Sequence, residues 1–308
     1  MDLVTCAITT HKRIPEIVER ALKSILNQTY KNIEVFVVDD SPSDWEHRKD
    51  VQLMVESYAL QNVTYIPHEK CMGACVARNT ALEKSNGKYI GFLDDDDEWK
   101  PTKIEKMIKA FTNDDIALVY CNSEVIDEIT GKKTLHNPKV FTGKVFDTLI
   151  FENYIGSTSF PVLRTSYLKE IGGFDPLMQS GQDYDVWLRL AEKYDVGYVD
   201  EPLCTYYFHE GEQITKNPLK KVNGLERIIE KNMAYLSNHS SVYSVRLFGL
   251  LPYSIKAKQY KKSFGLWFKA TIKSPLKLKT SLYYMWIMVK TLLVELKNMK
   301  KSKMEEKQ

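Results

Sequence analysis

The chain has 308 residues, 44% of them hydrophobic and 27% charged. That excludes disordered, collagen-like and low-complexity classes and leaves one large domain or two, with room for a sizeable core. A net charge of +3 hides an imbalance: residues 214–308 carry 20 Lys and Arg against 5 Asp and Glu, and residues 1–213 carry 23 against 35. An acidic body with a basic tail suggests an anionic surface near the tail.

The first hundred residues alternate strand and helix. Leu3–Thr9 is a short apolar, β-branched run expected as a buried strand. Pro15 opens a helix whose apolar positions Ile17, Val18, Ala21, Leu22, Ile25 and Leu26 follow the 3.6-residue period. A strand over Ile33–Val38 stops at Asp39-Asp40-Ser41-Pro42, and a polar helix is expected across about Trp45–Leu60. Then follow a strand at Val63–Ile66, a helix at Ala74–Lys84 and a strand at Tyr89–Leu93, which stops at Asp94-Asp95-Asp96-Asp97. This order implies a parallel sheet, and ligands of such sheets bind beyond the carboxyl ends of the strands, where both acidic clusters stand.

Past Pro101 the spacing of Ile104, Met107, Ile108 and Phe111 predicts a helix, and Ala117–Cys121 a strand. Glu124–Thr134 reads as a hairpin around Thr130-Gly131, and residues 141–213 as short elements and loops with a helix carrying Val186, Leu188 and Leu190. From about Leu219 the pattern is helical, basic and aromatic-rich. Five cysteines (Cys6, Cys71, Cys75, Cys121, Cys204) are an odd number in a long chain and read as reduced, structural thiols. Cys71 and Cys75 could face each other on a helix, but no further ligands at zinc-site spacing stand nearby. The first residues lack the basic and apolar regions of a signal peptide, and no run of about 18 uncharged apolar residues predicts a membrane span.

Four consecutive aspartates repel one another. Such a run can be a solvated face, but at a strand end a cation is the better reading: Asp94 and Asp96, two apart on a turn, can reach one Mg²⁺ or Mn²⁺ whose shell a diphosphate completes. Asp39 could accept a hydrogen bond from a nucleotide or cap the next helix, as could Asp40, Ser41 or Asp44. Thr9 and Thr10 precede His11, which could stack on a base, and Arg13, which could pair with phosphate. Arg78 reads either as a surface ion pair or as an arm to the nucleotide or the acidic cluster. Asp183 reads as a helix cap or as a general base, and His209 as a metal or phosphate ligand or a surface residue.

Taken together, these segments resemble the family 2 glycosyltransferases with the GT-A fold. The resemblance is carried by Ala7-Ile8-Thr9-Thr10-His11-Lys12-Arg13, Val37-Val38-Asp39-Asp40-Ser41, and Gly73 followed by Ala77-Arg78-Asn79-Thr80-Ala81. It continues through the run from Gly87 to Trp99 that holds the four aspartates, Ile171-Gly172-Gly173-Phe174-Asp175, and the segment from Gly181 to Arg189. The resemblance implies an α/β protein with a Rossmann-like, mostly parallel sheet flanked by helices, and a helical basic C-terminal extension. The catalytic domain would span residues 1–213 (about 1–100 for the nucleotide, 101–213 for the acceptor) and the extension residues 214–308.

It further implies an inverting transfer of a sugar from a nucleotide diphosphate sugar, usually a UDP-sugar, to a hydroxyl. Thr9, His11, Arg13, Asp39 and Arg78 match nucleotide-holding positions, and Asp94 and Asp95 stand with them in the donor site. Asp96 matches a direct ligand of Mn²⁺ or Mg²⁺, His209 a histidine that helps with the metal or diphosphate, and Asp183 the catalytic base. Two departures are Gln182, where the family often has Glu, and His11, where an aromatic such as Tyr is common. Chain order puts Asn153, Tyr154 and Ser157 near the acceptor. The expected partners are the nucleotide-sugar donor, a glycan or lipid-linked acceptor and, through the lysines and aromatic residues of 246–303, an anionic membrane; no nucleic acid is expected. The expected location is the cytoplasm, with peripheral contact to the inner face of the membrane. A nucleotidyltransferase and a catalytically silent nucleotide-sugar-binding module are the competing readings.

Overall fold

A computed structural model describes residues 1–136, 140–208, 217–274 and 278–305. Two compact units emerge: residues 1–177 with 182–211, and residues 178–181 with 212–308.

The first unit begins with β1 (Val4–Thr10), α1 (Pro15–Leu26), β2 (Ile33–Asp39), α2 (Arg48–Glu56), β3 (Val63–Pro67), α3 (Ala74–Lys84) and β4 (Tyr89–Asp94). It continues with β5 (Glu98–Trp99), α4 (Lys103–Lys109), β6 (Ile116–Asp127), β7 (Lys133–His136), α5 (Phe146–Leu149), β8 (Val162–Arg164), α6 (Thr165–Glu170), α7 (Gln182–Lys193) and β9 (Asp195–Phe208). One sheet runs in the order β3-β2-β1-β4-β8-β6-β9-β5, with β7 added beside β6. The half made of β3, β2, β1 and β4 is parallel throughout; β8 then pairs antiparallel with both β4 and β6, and β9 runs parallel to β6.

Covered faces explain the composition of these strands. Helices lie on a parallel sheet, so its strands are apolar along their length rather than alternating. Val4, Cys6 and Ile8 of β1, Val35 and Val37 of β2, and Leu93 of β4 join Val18, Leu22 and Ile25 of α1 in one buried cluster. Pro15 occupies the first turn of α1, where its missing N–H has no intrahelical role.

The predicted strands and helices of the first hundred residues are present, with one correction. The helix expected across Trp45–Leu60 is only Arg48–Glu56. Its N-cap is His47, which makes no side-chain cap bond, and Asn62 in the left-handed region (φ 58°) redirects the chain into β3. Cys71 and Cys75 do not share a helix face: Cys71 is exposed ahead of α3, Cys75 is buried within it, and both are free thiols, as are the other three. The hairpin forms as predicted, pairing Ser123 with His136 and Ile126 with Lys133. Expected as Ala117–Cys121, β6 extends instead to Asp127 because β7 and β9 flank its second half.

The second unit comprises α8 (Pro218–Lys231), α9 (Met233–Asn238), α10 (Ser240–Lys256), α11 (Tyr260–Lys273) and α12 (Leu278–Glu305). Asn217 caps α8 by accepting from the Leu219 and Lys220 amides, ahead of Pro218. Gly224 lets α8 lie against the backbone of Ser180: a Cβ there would sit 2.1 Å from the Ser180 carbonyl oxygen. Gly224→Ala should therefore destabilise the protein by about 1–3 kcal/mol, the usual range for overpacking, against the smaller gain from better helix propensity. A lower midpoint in chemical denaturation checks this; an unchanged or higher one refutes the close contact. Among the described residues, no helix is long and apolar enough to cross a membrane.

Candidate functional site

Strand register brings the candidate residues together. At the carboxyl end of the parallel half, Thr10 of β1 pairs with Asp39 of β2, and Thr9 pairs with Asp94 of β4. The loop after β1 carries His11, Lys12 and Arg13, and Lys12 turns it with a left-handed backbone (φ 53°). Its amide donates to Ser41 Oγ at 2.8 Å and the His11 ring Nδ1 lies 2.9 Å from the Asp40 carbonyl oxygen, so the loops after β1 and β2 are laced to each other.

Asp39 is 1% exposed and caps no helix. Its carboxylate accepts from the Ser41 amide at 2.8 Å and the Tyr65 hydroxyl at 2.6 Å. Burial and this carboxylate together push the Tyr65 hydroxyl pKa well above its ordinary value. Asp40 is a residue whose role the sequence did not show. Its Oδ1 lies 2.7 Å from His68 Nδ1 and accepts from the Met72 amide at 2.7 Å, while Oδ2 accepts from the Gly73 amide at 2.7 Å. Burial opposes ionisation of Asp40, but these bonds prevail and hold it below the usual carboxylate range.

The four aspartates after β4 differ sharply in environment. Asp94 Oδ1 accepts from Arg78 at 2.8 Å and Thr158 Oγ1 at 3.0 Å, and its Oδ2 from Ser157 Oγ at 3.1 Å. Asp95 and Asp96 share Arg13, through Nε at 3.0 Å and a terminal nitrogen at 2.7 Å. Arg20, missed from sequence, holds the Asp96 carbonyl oxygen at 2.8 Å and stacks 4.1 Å over the Tyr207 ring. Burial, followed by the charges of Asp94 and Asp96, raises the pKa of fully buried Asp97.

Burial raises the Asp95 pKa from 3.8 to about 6, with Arg13 opposing and Asp96 reinforcing the shift. A carboxyl with a raised folded pKa binds its proton more tightly in the native state, so it destabilises the fold progressively as pH rises from about 4 through about 6. Asp95→Asn removes that penalty. Its stability relative to the wild type should improve on going from pH 4 to pH 7, by on the order of 2–3 kcal/mol. Parallel urea titrations at the two pH values read the difference, and a pH-independent difference rejects the assignment.

Arg78, in α3 and only 8% exposed, connects this run to the start of α7. One terminal nitrogen reaches Asp94 and the other Gln182 Oε1 at 2.9 Å, the residue beside Asp183. Arg78 is thus not a surface ion pair but a buried arm that reaches the acidic cluster. Next to it, Asn79 exchanges bonds with the Phe174 backbone at 2.7 and 2.8 Å. Gly173 makes room for that exchange: its φ is +68°, and a Cβ would sit 2.5 Å from Asn79 Oδ1.

Asp183 is half-buried in the first turn of α7. Asp185, by contrast, is 2% exposed and paired with Arg189, which also binds the Ile171 and Gly173 carbonyl oxygens. It anchors α7 instead of facing a substrate. Ser157 meets Asp94, whereas Asn153 accepts from the Gly156 amide and Tyr154 is buried. His209 lies outside the described residues. A cleft of about 600 Å³ beside Arg20, Glu98 and Tyr207 is lined by none of the candidate donor residues.

The donor set suits a hard divalent cation in part. Asp96 retains 22% side-chain exposure, but among the described residues the acidic run does not bring three His, Cys, Asp or Glu ligand atoms within 4.8 Å of one another.

The sequence model described as Glycosyl transferase family 2 matches residues 5–172. This chain belongs to that family. As a family 2 glycosyltransferase it is 30% identical over 252 residues to WcaA of Escherichia coli K12, assigned as a colanic acid biosynthesis glycosyl transferase, covering 78% of this chain and 84% of that protein. It is 28% identical over 208 residues to WfgD of Escherichia coli, named a UDP-Glc:α-D-GlcNAc-diphosphoundecaprenol β-1,3-glucosyltransferase, covering 67% and 77%. Two Rickettsia glycosyltransferases are longer, and the chain spans 38% and 42% of their lengths.

The GT-A fold of the family 2 enzyme is also that of its structural neighbours. S. aureus TarS 1–349 in complex with UDP-GlcNAc superposes with a TM-score of 0.58 at 16% identity, covering 82% of this chain and 81% of that one. The mannosyltransferase PcManGT of Pyrobaculum calidifontis, in complex with GDP-Man and Mn²⁺, gives 0.58 at 16% identity, covering 94% and 86%.

Proposed function

We propose that the chain transfers a sugar, with inversion, from a UDP-sugar to a hydroxyl of a glycan or lipid-linked acceptor during surface polysaccharide synthesis. The observation that carries this is Arg78, whose two arms join Asp94 at the end of β4 to Gln182 beside Asp183. A diphosphate sugar seated over the strand ends would then present its anomeric carbon toward the start of α7. The names of WfgD and WcaA support a lipid-linked acceptor and a polysaccharide product.

Residues 1–213 would form the catalytic domain. Thr9, His11, Arg13, Asp39 and Arg78, with Asp94 and Asp95, would surround the nucleotide. Asp183 would take the proton of the acceptor hydroxyl as it attacks from the face opposite the leaving diphosphate, so one base suffices and no covalent sugar–enzyme intermediate forms. Arg13 would exchange part of its hold on the acidic run for the diphosphate, matching its fork to phosphate oxygens. A divalent cation held by Asp96, with His209 as a further candidate, would supply charge neutralisation to the leaving group. Calorimetric titration with UDP, GDP and TDP, each with Mn²⁺ and then EDTA, tests the donor site. Metal-dependent UDP binding supports it; no diphosphate binding by folded protein rejects it.

We also assign residues 214–308 a peripheral membrane role at the cytoplasmic face. On α11, Phe264, Phe268 and Ile272 are exposed at helical spacing, and on α12 Leu282, Trp286, Val289 and Leu293 are exposed. Lysines flank both rows, Lys269 and Lys273 on one and Lys290 over the Trp286 ring on the other. The protein should sediment with vesicles containing phosphatidylserine and be released by high salt, each lysine near the surface contributing about 1 kcal/mol. Equal binding to neutral phosphatidylcholine vesicles, or none to either, refutes this role.

A further inference from the structure

We propose that His11, Asp40 and Cys71 form a site for a single thiophilic divalent cation of the Zn²⁺ class, separate from the acidic run after β4. One ligand atom from each lies within 4.8 Å of the other two. Cys71 Sγ is 3.9 Å from His11 Nδ1 and 3.4 Å from Asp40 Oδ2. Tetrahedral zinc, with bonds of about 2.3 Å to sulfur and about 2.0–2.1 Å to nitrogen or oxygen, sets its ligands about 3.5 Å apart. Two edges already fall near that length. The third closes by rotation of His11 and Cys71, both exposed on loops.

The surroundings supply what such a site requires. Asp40 is fixed, its Oδ1 bonded to His68 and the Met72 amide, and His68 is fixed in turn by Thr80 Oγ1 at 2.9 Å. Supporting bonds of this kind orient a metal-ligating carboxylate. Asp40 Oδ2 accepts one amide proton, from Gly73, and faces the Cys71 thiol with its remaining capacity. The cation would stand where the thiol proton now lies. Sulfur loses that proton to solvent as the metal–sulfur bond forms, one proton released per cation, and no electron is transferred. His11 shifts to its Nε2–H tautomer, which frees Nδ1 from the Asp40 carbonyl oxygen to bind the metal with no further proton released, and water fills the fourth position. Thiolate and imidazole select Zn²⁺ over Mg²⁺ or Mn²⁺, whereas the carboxylates after β4 have the opposite preference.

Titration of the full, reduced chain with Co²⁺ tests the proposal. Co²⁺ should produce a thiolate-to-cobalt charge-transfer band and tetrahedral visible bands that saturate at one equivalent, and Zn²⁺ should bleach them. Cys71→Ser should abolish the charge-transfer band, and His11→Gln should weaken affinity at least about tenfold, the lower bound seen for outer-shell partners. Cys71 is exposed, so its variant should fold normally, which circular dichroism verifies. Asp96→Asn should leave the band unchanged, which keeps this result independent of the cation proposed at Asp96. Absence of the band in the wild-type chain, its survival in Cys71→Ser, or its loss in folded Asp96→Asn would overturn the proposal.

Discussion

Asp183→Asn should lower kcat for sugar transfer by about 10²–10⁴-fold, the range that a positioned general base supplies, while UDP affinity stays unchanged. The substitution preserves shape and removes the ability to take a proton. Its neighbours cannot stand in. Gln182 is neutral, with its side-chain oxygen bound to Arg78. Asp185 is buried, and Arg189 holds its Oδ2 at 2.9 and 2.8 Å. Folding should survive, because a half-buried carboxylate in the first turn of a helix adds at most about 2 kcal/mol through the helix dipole. Asp185→Asn provides the contrast: leaving Arg189 without its buried partner should reduce stability and soluble yield before it touches the chemistry. Steady-state assays with a UDP-sugar, paired with calorimetry of UDP, separate the two cases. Full turnover by folded Asp183→Asn would remove the residue from the base position.

The sequence made the parallel half legible because local signals and tertiary packing agree there. Strands buried on both faces must be apolar runs, and Leu3–Thr9, Ile33–Val38 and Tyr89–Leu93 are such runs, the last two with acidic stops. The second half was less legible. The three-residue strand Val162–Arg164 exists because β4 and β6 flank it, which no local pattern announces. The same division holds at the site. Arg13, Arg78 and Asp96 sit in motifs whose charge and position suggest a ligand, and the structure brings them to the strand ends. Asp40 and Arg20 could not be found that way. Asp40 acts on amides 32 and 33 residues away, and Arg20 reaches a backbone carbonyl from what looks like an ordinary helix face. Partners that distant in the chain leave no spacing to read.

Asp96→Asn should abolish the metal dependence of UDP binding and reduce kcat/KM by about 10²–10³-fold, the loss expected when one preorganised charge opposite a leaving group is removed. The structure ranks the four aspartates for this role. Asp95 and Asp97 have side chains 9% exposed and fully buried, and Asp94 is engaged on both oxygens by Arg78, Thr158 and Ser157. Asp96, with 22% of its side chain exposed, is more open than Asp95 and Asp97, and its main chain is fixed independently by Arg20. Asparagine at 96 can still accept from Arg13 through its side-chain oxygen, so the fork that spans Asp95 and residue 96 should persist. Removing the charge also lowers the repulsion that helps hold the Asp95 pKa up near 6, so Asp95 should ionise more readily in the variant. The predicted result is therefore a folded protein, no less stable at pH 7 than the wild type, that binds UDP weakly and equally with Mn²⁺ or EDTA. Retained metal-dependent affinity would move the cation away from Asp96 altogether, because Arg13 would then be holding a carboxylate, and Arg20 a main-chain carbonyl, with no part in the donor site.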